Sequence, residues 1–315
     1  MSTAGKLTGV IPPVVTPLTD DRRLDIASFE RVINRLITAG VNGLFVLGST
    51  GEVAFCTDSL RAQIIEEAAR IIDGRVPLLA GVIDTQTPRM LDHVAAATAA
   101  GVDAVVATAP FYAVTHAEQI RRHFEILGDR SPVPVYAYDI PVAVHTKLDP
   151  DMLVDLGRAG AIAGVKDSSG DDISFRRLCL KNRAAGEPLT LLTGHEFVVD
   201  GAYLSGAHGS VPGLSNVDPD GYVRLHRAFL AGDWTTMRQE QDRLAALMEI
   251  CLSAKAVTGW GAGVGAFKTA LMLQGIISTN QVPEPFDALS GDDVDAVRAI
   301  LAAVGPREPL PAGGR

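Results

Sequence analysis

The sequence is short of several things, and each shortage narrows what the chain can be. Its 315 residues hold three cysteines, Cys56, Cys179 and Cys251, which are far apart and in no CxxC pair. That usage fits reduced thiols and excludes a disulfide scaffold. Positive charge is scarce: 28 Lys and Arg face 37 Asp and Glu, a net charge of −9. No basic cluster offsets it, so nucleic acid is not the expected partner. No apolar run approaches the roughly 18 residues of a membrane span; the Ala-rich stretch 95–110 is broken by Thr98, Gly101 and Asp103. Met1–Thr8 has no long apolar core and does not read as a signal peptide. What is present is ordinary, 47% hydrophobic and 21% charged residues, as in a globular protein. The expectation is a soluble, cytoplasmic enzyme or small-molecule binder with no membrane partner.

Short apolar runs recur along the chain. One kind follows a small residue and a glycine: AGVNGLFVLG (39–48), AGVDAVVATAP (100–110), AGAIAGVKD (159–167) and SGAHGSVPG (205–213). A second kind follows a proline and falls between them: VPLLAGV (76–82), VPVYAYDIP (133–141) and EPLTLLTG (187–194), with IPPVVTP (11–17) as a first copy. Eight such runs fit strands buried on both faces. Helical spacing lies between them, as in Phe29, Val32, Ile33, Leu36 and Ile37 after Asp25, a suitable N-cap. Ile64, Ile65, Ala68 and Ile72 repeat the spacing, with Asp58 or Ser59 as cap. Glycines at 40, 74, 101 and 160 suit helix ends.

Alternating strand and helix argues for parallel pairing through right-handed crossovers. Eight units over about 215 residues predict a (β/α)8 TIM barrel; a doubly wound open sheet is the rival, and the two alternating strand types favour the barrel. The predicted organisation is a barrel over 1–216, a C-terminal helical extension over 217–305 and a disordered tail over 306–315.

In such a barrel the chemistry lies where the strands end. Only six lysines accompany 22 arginines, and Lys166 alone ends a buried apolar run. Desolvation there disfavours the ammonium and exposes a nucleophilic amine able to form a Schiff base with a ketone. The alternative is a structural lysine paired with Asp167 or Asp139. Tyr138 ends the neighbouring run, as a proton relay or as an aromatic filling the barrel end. Gly48-Ser49-Thr50-Gly51 makes a tight turn whose N–H groups suit a carboxylate, or a plain turn with a hydroxyl cap. His145 and His195 stand near strand ends, within reach of substrate. His116 and His123, seven apart, are expected on a helix surface. Gly261–Ala266 matches GxGxxA but follows no strand, so it is not read as a dinucleotide loop. The acidic and histidine spacings give no metal site.

GSTGE, PFY, YDIP and GVKDSSGD, in this order on the second, fourth, fifth and sixth runs, make the chain similar to the dihydrodipicolinate synthase and N-acetylneuraminate lyase family. The resemblance runs from about Gly9 to Leu273. It implies a (β/α)8 barrel, usually a homotetramer built as a dimer of dimers, with no metal or organic cofactor. It also implies a lysine Schiff base with pyruvate or another 2-keto acid. By position Lys166 resembles the Schiff-base lysine and Tyr138 the relay tyrosine. Ser49 and Thr50 resemble the hydroxyl pair at the keto-acid carboxylate, and Val211 the strand-eight position whose backbone faces pyruvate. Tyr112 resembles the tyrosine that reaches a neighbouring subunit's site.

One position departs. Where dihydrodipicolinate synthases carry an arginine five residues after the tyrosine, this chain has Ala143. Losing such a charge-assisted contact costs on the order of 1.5–3 kcal/mol of binding. Gly194, His195, Glu196, Ser168 and His145 suit a short polyhydroxy chain instead. The expectation is a class I aldolase cleaving a 2-keto-3-deoxy sugar acid to pyruvate and an aldehyde. The alternatives are a 4-hydroxy-tetrahydrodipicolinate synthase, a dehydratase of the family and, from a different class, a non-catalytic keto-acid binder.

Overall fold

The computed structural model describes residues 7–257 and 259–306. Most of Met1–Thr8, the segment not read as a signal peptide, and most of the predicted tail over 306–315 lie outside the described residues.

Eight parallel strands form one sheet in the order β1-β8-β7-β6-β5-β4-β3-β2. They are β1 (Gly9–Val10), β2 (Leu44–Val46), β3 (Leu78–Gly81), β4 (Ala104–Thr108), β5 (Val135–Asp139), β6 (Gly164–Asp167), β7 (Thr190–Thr193) and β8 (Gly209–Ser210). The sheet closes where Pro13 bridges Phe45 of β2 and the Val14 N–H donates to the Phe45 carbonyl. The protein is a (β/α)8 barrel with C-terminal helices. Every strand residue is buried, as expected of a parallel sheet covered on its outer face and packed with side chains inside.

The barrel helices are α1 (Ile26–Ala39), α2 (Asp58–Ile72), α3 (Thr87–Ala99), α4 (Ala117–Arg130), α5 (Pro141–Val144), α6 (Pro150–Arg158), α7 (Asp172–Ala184) and α8 (Val199–Ser205). After β8 come α9 (Pro219–Ala231), α10 (Trp234–Met248), α11 (Trp260–Leu273) and α12 (Asp292–Val304). In α1 the predicted stripe Phe29, Val32, Ile33 and Leu36 is buried, and Asp25 accepts from the Ser28 N–H. Gly40 closes that helix in the left-handed region, which costs glycine little. Gly261–Ala266 lies inside α11, so it forms no dinucleotide loop.

Three expectations change. The run 11–17 supplies only the flank of its strand: Pro12 and Pro13 have no N–H to donate, so the regular pairing with β8 ends at Val10. The cap of α2 is Thr57, whose hydroxyl accepts from the Leu60 N–H; Asp58 is already helical. His123 is buried, not on the helix surface. Its ring bonds Thr87 and the Thr108 carbonyl, and burial holds its pKa down at about 4, hence neutral.

Candidate active site

Strand alternation sorts the side chains of β5 and β6. Tyr138 and Lys166 are register partners, and so are Asp139 and Asp167 one residue later. Neighbours along a strand face opposite ways, so the first pair points into the barrel mouth and the second points outward toward the helices.

Inside, Lys166 is 4% exposed. Its Nζ lies 3.9 Å from the centroid of the Tyr138 ring and 5.1 Å from that of Phe45, within cation–π range. It forms no ion pair among the described residues. Gly194, after β7, leaves room for it: a Cβ there meets Lys166 Cε at 3.3 Å and Ser168 Oγ at 2.1 Å.

Outside, the alternative partners proposed for Lys166 are taken by another residue. Lys147 bonds Asp139 and lies 3.3 Å from Asp167. The Leu148 N–H donates to Asp139 and the Ser169 N–H to Asp167. Burial and the adjacent Asp167 push the Asp139 carboxyl up to about 6, against the pull of Lys147. The reading of Lys166 as a lysine paired with Asp139 or Asp167 is therefore wrong. Sequence reasoning missed Lys147 because its partners lie 8 and 20 residues away, on strands whose adjacency only the fold supplies.

The turn after β2 completes the mouth. Ser49 Oγ and Tyr138 OH are 3.2 Å apart. The Glu52 N–H donates to the Ser49 carbonyl, the Val53 N–H to the Gly48 carbonyl and the Thr16 hydroxyl to the Gly51 carbonyl. The N–H groups of Ser49, Thr50 and Gly51 have no acceptor among the described residues. Three free donors in one turn make a nest for an anion. Leu47 and Glu52, which bracket the turn, both have positive φ, 56° and 60°, a conformation costing of order 1–3 kcal/mol each. Gly81 lets the turn seat, since a Cβ there meets the Leu47 carbonyl at 1.9 Å.

The remaining candidates are scattered. Thr50 is half-buried beside Ser49. Val211 is buried just after β8, its N–H donating to the Thr193 carbonyl. His195 is half-buried, 3.0 Å from Asp172. Glu196 accepts from the Leu214 N–H at 2.7 Å and lies 3.4 Å from the Tyr222 hydroxyl; burial raises its pKa, opposed in part by Lys166. His145 is exposed at the end of α5 and joins nothing in the mouth. Tyr112 has φ 74° and is 94% exposed, so within one chain it projects into solvent. Among the described residues no His, Cys, Asp and Glu group is arranged to hold a metal ion, and no helix is long and apolar enough to cross a membrane.

The arrangement offers an amine in no ion pair among the described residues, a phenol and hydroxyl in contact beside it, and an anion nest. The model of the dihydrodipicolinate synthetase family matches residues 6–304. A 4-hydroxy-tetrahydrodipicolinate synthase of Phenylobacterium zucineum is 32% identical over 76% of this chain and 80% of its own length. A DapA-like lyase of Halobacterium salinarum is 30% identical over 95% and 94%. Among solved structures, the dihydrodipicolinate synthase of Bacteroides thetaiotaomicron superposes with a TM-score of 0.88 at 30% identity, covering 94% of this chain and 98% of its own. YagE of E. coli K12, a family member solved in complex with pyruvate, gives 0.90 at 27%, covering 95% and 99%.

Proposed function

The chain belongs to the dihydrodipicolinate synthetase family and is a lyase, and from that premise we propose that Lys166 forms a Schiff base with pyruvate or another 2-keto acid. The observation that carries the proposal is the amine itself: buried, set over two aromatic rings and in no ion pair among the described residues, while Lys147 takes Asp139 and Asp167.

The amine adds to the C2 carbonyl, and Tyr138 gives its phenolic proton to the departing hydroxyl, so that water leaves a protonated imine and a tyrosinate. Tyr138, in contact with Ser49, takes the C4 hydroxyl proton as the C3–C4 bond breaks. The bonding pair flows into the iminium as an enamine, and the aldehyde departs. A proton returned to C3 and hydrolysis of the imine then release the keto acid and free Lys166. Such positioned proton transfer contributes about 10²–10⁴-fold. The free N–H groups of Ser49, Thr50 and Gly51, with the two hydroxyls, hold the keto-acid carboxylate.

We assign the substrate as a 2-keto-3-deoxy sugar acid. Ala143 offers no charge to a second carboxylate, and Lys147 on the same segment is occupied by Asp139 and Asp167. Gly194, His195, Glu196 and Ser168 supply polar contacts for hydroxyls. The names of several relatives support condensation of pyruvate with aspartate semialdehyde as the second reading. The resemblance extends to assembly: Tyr112 would enter a neighbouring copy's site within a homotetramer, which fits an exposed ring on a strained backbone.

The test is borohydride reduction in the presence of pyruvate, followed by peptide mass mapping. One adduct per chain on Lys166 is expected, and none in Lys166→Met; an unmodified Lys166 overturns the mechanism. Pyruvate release from a panel of 2-keto-3-deoxy acids, set against pyruvate uptake with aspartate semialdehyde, separates the two substrate readings.

A further inference from the structure

The C-terminal helices reach the barrel mouth through one charged side chain. Lys268 of α11 is fully buried, and its Nζ lies 2.5 Å from Glu52 Oε2 and 2.9 Å from the Gln281 carbonyl. Glu52 is itself buried and closes the turn that carries Ser49 and Thr50. The partners are 216 residues apart in sequence, so nothing local brings them together. Burial pushes the Glu52 carboxyl up and the Lys268 ammonium down, and each opposes that shift in the other.

Glu52 sits at φ 60°, where a side chain of its kind does not rest by preference. Such a conformation persists only where the surroundings fix it. The Thr16 hydroxyl fixes Gly51 through its carbonyl. Among the described residues the side chain of Glu52 has one hydrogen-bond partner, Lys268. A second strut from the extension runs beside it: Phe55 packs edge-on against Phe286 at 5.0 Å and near Trp260 at 6.3 Å. Releasing Glu52 lets its backbone leave the left-handed region, and the N–H groups of Ser49, Thr50 and Gly51 then no longer converge.

We propose that Lys268 is a positioning residue for the keto-acid carboxylate: through Glu52 it holds the Ser49–Thr50 turn in its anion-binding shape, so the helical extension is part of the substrate site although it never touches substrate. This rests on the Schiff-base reading above, and it separates two functions of the mouth. The amine of Lys166 is built by β5, β6 and β2. The anion nest is built by the turn and held from α11.

The experiment compares two carbonyl probes by borohydride trapping on Lys166: pyruvate, which carries a carboxylate, and acetaldehyde, which does not. In Lys268→Met the pyruvate concentration giving half-maximal trapping is expected to rise on the order of tenfold, as for loss of a charge-assisted contact, while acetaldehyde trapping changes less than twofold. A general loosening of the fold moves both probes together. An unchanged pyruvate dependence in a folded Lys268→Met protein, or equal losses for the two probes, overturns the proposal. If Lys268→Met does not fold, the Glu52→Gln/Lys268→Met double variant buries no unpaired charge and carries the same comparison. Failure of the unaltered protein to trap pyruvate on Lys166 refutes the Schiff-base reading instead, so the two failures are distinguishable.

Discussion

Two lysines stand on opposite sides of the same pair of strand ends, and their surroundings could hardly differ more. On the inner side Lys166 lies over the rings of Tyr138 and Phe45 and forms no ion pair among the described residues. On the outer side Lys147 is bound by Asp139 and Asp167. The residues that make the difference alternate along β5 and β6: Tyr138 then Asp139, Lys166 then Asp167. A period of two places aromatic and amine on one face and both acids on the other. An amine is kept from its neighbouring acids by one residue of strand, and a second lysine then balances those acids.

The sharpest way to break this contrast is to remove each lysine in turn. Lys166→Met is expected to lose all borohydride trapping while its urea midpoint holds or rises, since the lysine it removes forms no ion pair among the described residues. Lys147→Met is expected to behave in reverse. It strands two buried carboxylates side by side, a loss on the order of 3–5 kcal/mol of stability, read as a lower urea midpoint, with trapping retained by the folded fraction. If Lys147→Met leaves the midpoint unchanged, the outer cluster does not hold the strand ends.

A smaller effect belongs to Asp139. Its carboxyl is raised from 3.8 to about 6, so between those values the folded chain keeps a proton that the unfolded chain has released. That contribution is complete below about pH 4 and is lost as pH rises through about 6. Asp139→Asn is expected to flatten the fall in unfolding free energy across this window by about 1–3 kcal/mol. Equal slopes in the two proteins would show that Lys147 masters both acids. The smallest effect is on the inner side: Ser49→Ala removes the hydroxyl at 3.2 Å from Tyr138. It is expected to cost about 1 kcal/mol, a several-fold drop in kcat with trapping by pyruvate retained. An unchanged kcat removes Ser49 from the relay.

The barrel was legible in the sequence because its strands are buried on both faces and therefore read as apolar runs set off by Pro and Gly. The ends of those runs displayed Tyr138 and Lys166, the latter conspicuous in a chain with few lysines. The turn at Ser49 and Thr50 was visible for its glycines and hydroxyls. What could not be read was whatever depends on chain segments meeting. Nothing beside Lys147 or Lys268 in the sequence announced a partner, because Asp167 and Glu52 lie 20 and 216 residues away. His123 looked like a surface residue because its spacing from His116 says nothing of the Thr87 and Thr108 groups that enclose it. The short helices α5 and α8 were missed as well, being too brief to show a period.

The seam of the barrel has a consequence for how the protein is made. β1 is two residues long and pairs through Gly9 with Gly209, 200 residues later. Translation at roughly 5–20 residues per second separates the appearance of these partners by about 10–40 s. During that interval β2 to β7 can assemble side by side, but the sheet keeps two unpaired borders, which invite pairing with other chains. Closure waits for Gly209–Ser210, so the nascent chain stays exposed to such pairing until nearly two thirds of it has emerged from the ribosome.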